Sequence, residues 1–266
     1  MSADLRLRLS IMMFLEFAVW GAWFVVLGNY LKAQHFSMTQ VGTMYSLIPL
    51  GAIISTMFVG QFADRYFSSE RLMAVLHLAG AGLLFWMAQV QDVQKFTLLA
   101  VVTLLYSLAY NPTLALANSI SFAHIPDGGR DFPGIRVFGT IGWIVVSLVV
   151  DQFLNIHSNG PLLLAAGISL VLGLFSLALP HTPPSGPMPA HSGGPAFVRA
   201  FALMKDFPFA VFFGVSLVIT IVLAFYYSFT GQFLEHSGVT RVARTMSLGQ
   251  FMEMCFLPIQ IGRAHV

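Results

Sequence analysis

Long runs of apolar side chains recur along this chain at about 9–31, 40–61, 72–90, 96–122, 137–155, 161–179 and 207–233, and a further run begins near 245. A helix needs roughly 20 consecutive apolar residues to cross the hydrocarbon core of a bilayer. Backbone amides and carbonyls find no water there, so each run is expected to be helical; a barrel strand would alternate polar and apolar residues instead. Only 9% of the 266 residues are charged and 57% are hydrophobic, whereas a soluble domain carries about 25% charged residues. The first run is longer than a secretory h-region, contains Glu16 and is followed by further spans, which predicts a retained helix. A net charge of +2 without a Lys/Arg run offers no nucleic-acid surface. The single cysteine, Cys255, excludes an internal disulfide and a paired-Cys metal or redox site.

The connections carry an orientation signal. Arg6, Arg8, Arg65, Arg71, Arg130, Arg199 and Lys205 fall on the side of the N-terminus. Lys32, Lys95, Arg241 and Arg244 fall on the other, so the bias favours a cytoplasmic N-terminus. Residues 180–206 are rich in Pro, Gly and Ser and read as a linker with a short amphipathic helix at its end. Six spans, a long connection and further spans is the plan of a carrier built from two six-helix halves. The expected organisation is a six-helix transmembrane bundle at 1–179, a cytoplasmic linker at 180–206 and the start of a second bundle at 207–260. The tail "IGRAHV" (261–266) puts Arg and His where the eighth span should continue. It also reads as the translation of a common sequencing adapter, so a chain cut short after about Gln260 with a non-native tail is expected.

Several polar residues sit on the spans at helical spacing. "GQFADRY" (60–66) resembles the G-x-x-x-D-R loop of the major facilitator superfamily. Gly60 would let two helices approach, Asp64 would cap a helix N-terminus and Arg65 would pair across the cytoplasmic face. In "DFPGIRVFGTIGW" (131–143), Arg136, Thr140 and Trp143 follow i, i+4, i+7 and share one face. A cation, a hydroxyl and a large aromatic on one stripe suit a ligand with a polar part and a flat ring; a snorkelling Arg beside a packing Trp is the alternative. Glu16, Trp20 and Trp23 repeat that spacing on the first span, and an ionised carboxylate is costly in hydrocarbon. Glu16 is therefore expected to face a central cavity, as a proton-responsive group or a hydrogen-bond partner of the ligand; a protonated Glu tying helices together is the alternative. Tyr106, Tyr110 and Thr113 line another face beside Pro112, and His77 reads as a packing or hydrogen-bonded histidine.

Four stretches together, "LEFAVWGAW" (15–23), "YNPTLALANS" (110–119), "DFPGIRVFGTIGW" and "FYYSFTGQFLEHSGV" (225–239), resemble the nucleoside:proton symporter family of the major facilitator superfamily. The resemblance implies an all-α multi-pass membrane protein of the major facilitator fold that imports nucleosides with protons across the bacterial inner membrane. It implies a substrate-contacting face at Arg136, Thr140 and Trp143, and a ligand-bonding pair at Gln250 and Glu253 on the eighth span. Tyr227 on the seventh span is an aromatic candidate for the same site, although the amides that some members carry on that span are absent here. Glu16 and Glu253 are the candidate proton-coupling acids; some members have Gln at the position of Glu16.

A monomeric carrier in the lipid bilayer, taking a small-molecule nucleoside and protons, with no cofactor, metal or nucleic-acid partner, is thus the expectation. Another facilitator-type carrier for sugars or other small solutes is the alternative. An enzyme is not expected, because the sequence has no HExxH, GxSxG or Asp cluster.

Overall fold

In the computed structural model the described residues are 1–184 and 203–263, with side chains except those of 57–66, 253–254 and 256–263. Their helices are α1 (Ala3–Trp23), α2 (Leu27–Ala33), α3 (Met38–Tyr66), α4 (Ser69–Gln89), α5 (Phe96–His124), α6 (Gly128–Phe153), α7 (Gly160–Ser176), α8 (Phe207–His236) and α9 (Val242–Arg263). Among the described residues, five helical stretches are long and apolar enough to cross a membrane: Ala3–Ala33, Ser69–Gln89, Val93–His124, Gly128–Phe153 and Phe207–His236. Gly160–Ser176 is a shorter apolar helix.

The first span is not one helix. α1 passes through a 3-10 turn, Phe24–Val26, into α2. The Tyr45 hydroxyl, from α3, occupies the break: it donates to the Phe24 carbonyl and accepts from the Gly28 N–H, each at 3.0 Å. Those two backbone groups are the i and i+4 partners that would bond each other in a continuous helix. A buried hydroxyl takes over for both, which lets the backbone change direction inside an apolar bundle. Tyr45→Phe leaves both groups without that partner. We expect a loss of about 1–3 kcal/mol, read as a lowered unfolding temperature in detergent, with little change if the break relaxes to regular helix.

Close helix contacts depend on glycine. A Cβ at Gly142 would run into the Phe14 carbonyl, and one at Gly21 would lie 3.1 Å from Trp143, so α1 and α6 approach nearly backbone to backbone. α1 also packs on α7, α4 on α5 and α7, and α3 on α5. α8 and α9 lie against this bundle, α8 on α2 and the 3-10 turn and α9 on α6. The outward faces are apolar, with Val75, Phe85 and Trp86 exposed on α4 and Phe212, Val218 and Val222 exposed on α8.

Two boundaries differ from the sequence expectation. α6 begins at Gly128, capped by the Asp127 carboxylate accepting from the Arg130 N–H at 3.1 Å. Arg136 therefore lies two turns inside the helix rather than at its start; Pro133 stands inside the helix as well, where its missing N–H removes one backbone bond. The "GQFADRY" stretch is the end of α3 and not a loop. The side chains of Gly60, Asp64 and Arg65 lie outside the described residues, as does most of the expected linker and its amphipathic helix.

Candidate functional site

α1, α6 and α8 bring aromatic rings together where the first seven helices meet the last two. Trp143 of α6 lies 5.6 Å from Trp20 of α1 and 5.9 Å from Tyr227 of α8, centroid to centroid. Phe24, one helical turn after Trp20, lies 5.3 Å from Trp20, 5.9 Å from Tyr227 and 5.5 Å from Tyr45. The pairs are tilted or edge-on, the arrangement favoured by the ring quadrupole. Trp20 is half-buried and Trp143 only 7% exposed. α9 joins through Gln250, whose Nε2 donates to the Tyr227 hydroxyl at 3.2 Å. The Gln250 Oε1 is buried and accepts no hydrogen bond among the described residues. Other buried polar atoms are in the same state, Gln232 Oε1 and the Tyr106 hydroxyl among them; Gln250 Oε1 is the one that lies beside Tyr227, where it can accept from a donor.

The face expected on the fifth span is present, but its members do different things. Thr140 and Trp143 are buried, toward the interior. Arg136 is half-buried and its guanidinium carbon stands 4.0 Å above the centre of the Phe17 ring. The guanidinium thus makes a cation–π contact with α1, and Gly139 leaves it room, since a Cβ there would lie 2.7 Å from Arg136 Nη1. Sequence spacing identified the face; it did not identify Phe17, Phe24 or Tyr45. The recurrence of an aromatic four residues after Trp20 is the signal that points to Phe24.

Glu16, on α1, is fully buried, and its side chain meets partners on α4 and α5. Its Oε2 meets His77 Nε2 at 2.8 Å, and its Oε1 is 2.7 Å from Thr113 Oγ1. The Tyr110 hydroxyl donates to the Glu16 carbonyl at 2.8 Å. On the far side of His77, Ser169 of α7 donates to the His77 carbonyl at 2.9 Å, so its oxygen is left to accept from Nδ1 at 3.1 Å. Thr113 has two acceptors in reach, Glu16 Oε1 and, at 2.6 Å, the Tyr110 carbonyl. It has one hydrogen. When Thr113 donates to Glu16 the carboxylate is served as an anion; when it turns to Tyr110 its oxygen accepts from a protonated Glu16. The Glu16–His77 unit is therefore compatible with two proton counts and no heavy-atom movement. Tyr110 links this unit to the aromatic junction, its ring 6.2 Å from Trp20. Glu253 lies on α9, three residues after Gln250; its side chain is outside the described residues.

The model of a family described as Nucleoside H+ symporter matches residues 3–264. The chain is 42% identical to YegT of Escherichia coli (strain K12) over 94% of its own length and 60% of that protein. It is 35% identical to the xanthosine permease of the same organism over 87% of its length and 56% of the relative. It is 33% identical to nucleoside permease NupG over 96% of its length and 64% of the relative. The chain thus spans about 60% of the length of the curated relatives it matches. The crystal structure of nucleoside transporter NupG superposes with a TM-score of 0.81 at 32% identity, covering 98% of this chain and 68% of that one. A point variant of NupG superposes at 0.85.

Proposed function

We infer that this chain, which belongs to the nucleoside H+ symporter family, binds a nucleoside at the aromatic junction and belongs to a carrier that moves it inward with protons by alternating access. The fold is the major facilitator fold and the chain is a multi-pass membrane protein of a transporter family. The observation that carries the reading is the convergence of Trp20, Trp143 and Tyr227 beside the Gln250 oxygen, which accepts no hydrogen bond among the described residues.

A nucleoside offers a flat base and a hydroxylated sugar. Trp143, with Tyr227 or Trp20, supplies the stacking surface. Gln250 Oε1 suits a ribose hydroxyl donor, and Thr140, Arg136 and Glu253 complete the polar contacts. Trp143 and Gln250 come from different helix groups, so a bound ligand bridges them and responds to their relative movement. Residues 1–179 act as one six-span unit, 180–206 as the cytoplasmic connection and 207–260 as the part of a second unit contained here. The carrier lies in the bacterial inner membrane with its N-terminus cytoplasmic, works as a monomer, and has neither catalytic activity nor a nucleic-acid partner. Gly60, Asp64 and Arg65 stabilise one of its access states.

The proton is assigned to Glu16, with Glu253 as the second acid. The Thr113 hydroxyl that serves either protonation state supports Glu16, and Tyr110 and Trp20 connect that site to the ligand. A proton drives transport only if it binds the two access states unequally. The reading is tested by uptake of labelled uridine and adenosine into vesicles, using a reading frame of the relatives' length that carries these residues. Uptake is expected to be stimulated by an inward proton gradient and competed by nucleosides but not sugars. Sugar competition would favour the alternative carrier, and accumulation indifferent to the gradient would remove proton coupling.

A further inference from the structure

A set of bonds crosses between the two helix groups at the end where α2, α6 and α8 finish and α9 begins. Glu235, in the last turn of α8, uses both carboxylate oxygens there. Oε2 accepts from Asn29 Nδ2 of α2 at 2.6 Å, and Oε1 meets His157 Nε2 at 2.7 Å. His157 lies in the connection between α6 and α7 and is fixed from three sides. Its backbone N–H donates to Asn155 Oδ1 at 2.9 Å, its Nδ1 stands 3.1 Å from the same oxygen, and Gln34 Nε2 donates to its carbonyl at 3.5 Å. Both ring nitrogens face acceptors.

A second contact joins the same two helix groups, with the carboxylate now on the other side. Arg241, just before α9, donates from Nη1 to Gln152 Oε1 at 3.2 Å and stands 3.9 Å from Asp151 Oδ2, both at the end of α6. One helix group thus offers an imidazole and a carboxylate to a carboxylate and a guanidinium of the other. Complementary polar groups placed on both sides of a junction fix its register. The backbones are close as well: a Cβ at Gly231 of α8 would lie 2.9 Å from Asn29 Oδ1 and from the Val25 carbonyl.

We propose that Glu235, His157 and Asn29, with Arg241 and Asp151 as a second point, form the gate that holds the ligand junction shut at this end. The proposal rests on the carrier reading above, because only a carrier has to open this junction. The side chains of His157 and Glu235 are 41% and 35% exposed. Exposed ion pairs are weak, so the contact breaks within a working cycle, whereas the buried α1–α6 packing persists.

The test places a reporter behind the gate. Gln232, one turn before Glu235 and 7% exposed, is replaced by cysteine in a Cys255→Ser background. Its reaction with a membrane-impermeant maleimide is then timed in vesicles of both orientations. Glu235→Lys is expected to speed labelling by roughly tenfold or more in one orientation only, as the population shifts toward the open form. Adding His157→Glu, which restores an ion pair with its signs exchanged, is expected to return labelling to near the starting rate. Unchanged labelling with Glu235→Lys, or failure of the exchanged pair to restore it, overturns the gate. If Glu235→Lys does not accumulate in membranes, Asn29→Ala combined with His157→Ala carries the same test: acceleration supports the gate and its absence overturns it. No nucleoside takes part in this readout, so it can fail while uptake succeeds, and the reverse.

Discussion

Trp143→Leu is expected to weaken nucleoside binding by roughly tenfold to a hundredfold, while Trp143→Phe stays within a few fold of the parent, because stacking a base on an aromatic face is worth about 1–3 kcal/mol. Leucine fills much of the volume between α1 and α6 without a π-face, so folding and stacking are separated. Trp143 is held by Gly21 on one side and by the rings of Trp20 and Tyr227 on the other, so a smaller aromatic at 143 keeps the same orientation. Equilibrium binding of labelled uridine or adenosine in detergent reads the difference. Equal affinity for the Leu and Phe variants would place the base elsewhere.

The second large effect concerns Glu16. Glu16→Ala removes one member of a fully buried pair and leaves His77 facing an empty space. Breaking a buried pair from one side costs about 3–5 kcal/mol, so the variant is expected to unfold far below the parent temperature. Glu16→Gln keeps a carbonyl oxygen and an amide where the two carboxylate oxygens bond, and is expected to fold and to bind nucleoside. It cannot take up a proton at that position. In the uptake assay it is expected to lose stimulation by the inward proton gradient while exchange of nucleoside down its own gradient continues. A Glu16→Gln carrier still driven by the gradient would move the proton to Glu253, and Glu253→Gln would then carry the loss.

Helical periodicity made the helical runs and their order readable, and it put Arg136, Thr140 and Trp143 on one face. It did not show what each meets, since Phe17, which stacks on Arg136, belongs to another helix. Glu16, Trp20 and Trp23 illustrate the same limit. Their spacing suggested a shared direction, yet Glu16 turns to His77 and Thr113, Trp20 to Trp143, and Trp23 to Tyr106 of α5. A helix surrounded by others on most sides offers each residue of a stripe a different neighbour. His77 read as a packing or hydrogen-bonded residue, but its partner lies 61 positions away and no local pattern announces it.

The break at Phe24–Val26 was illegible for a related reason. The run contains no proline, and the group that replaces the missing backbone bond is the Tyr45 hydroxyl on the next helix. Gly28 and Asn29, just beyond the break, were the available hints. Asn29, His157 and Glu235 read as ordinary polar residues at span ends, and only the packing of α2, α8 and the α6–α7 connection brings them into contact.

The central claim is that the base lies among rings contributed by both helix groups. Photolabelling with 8-azidoadenosine and 5-azidouridine, followed by peptide mapping, tests it most directly. Adducts are expected on the peptides that contain Trp20, Trp143 and Tyr227, and an excess of unlabelled nucleoside should suppress them. Adducts confined to one helix group, or unaffected by that excess, would contradict it.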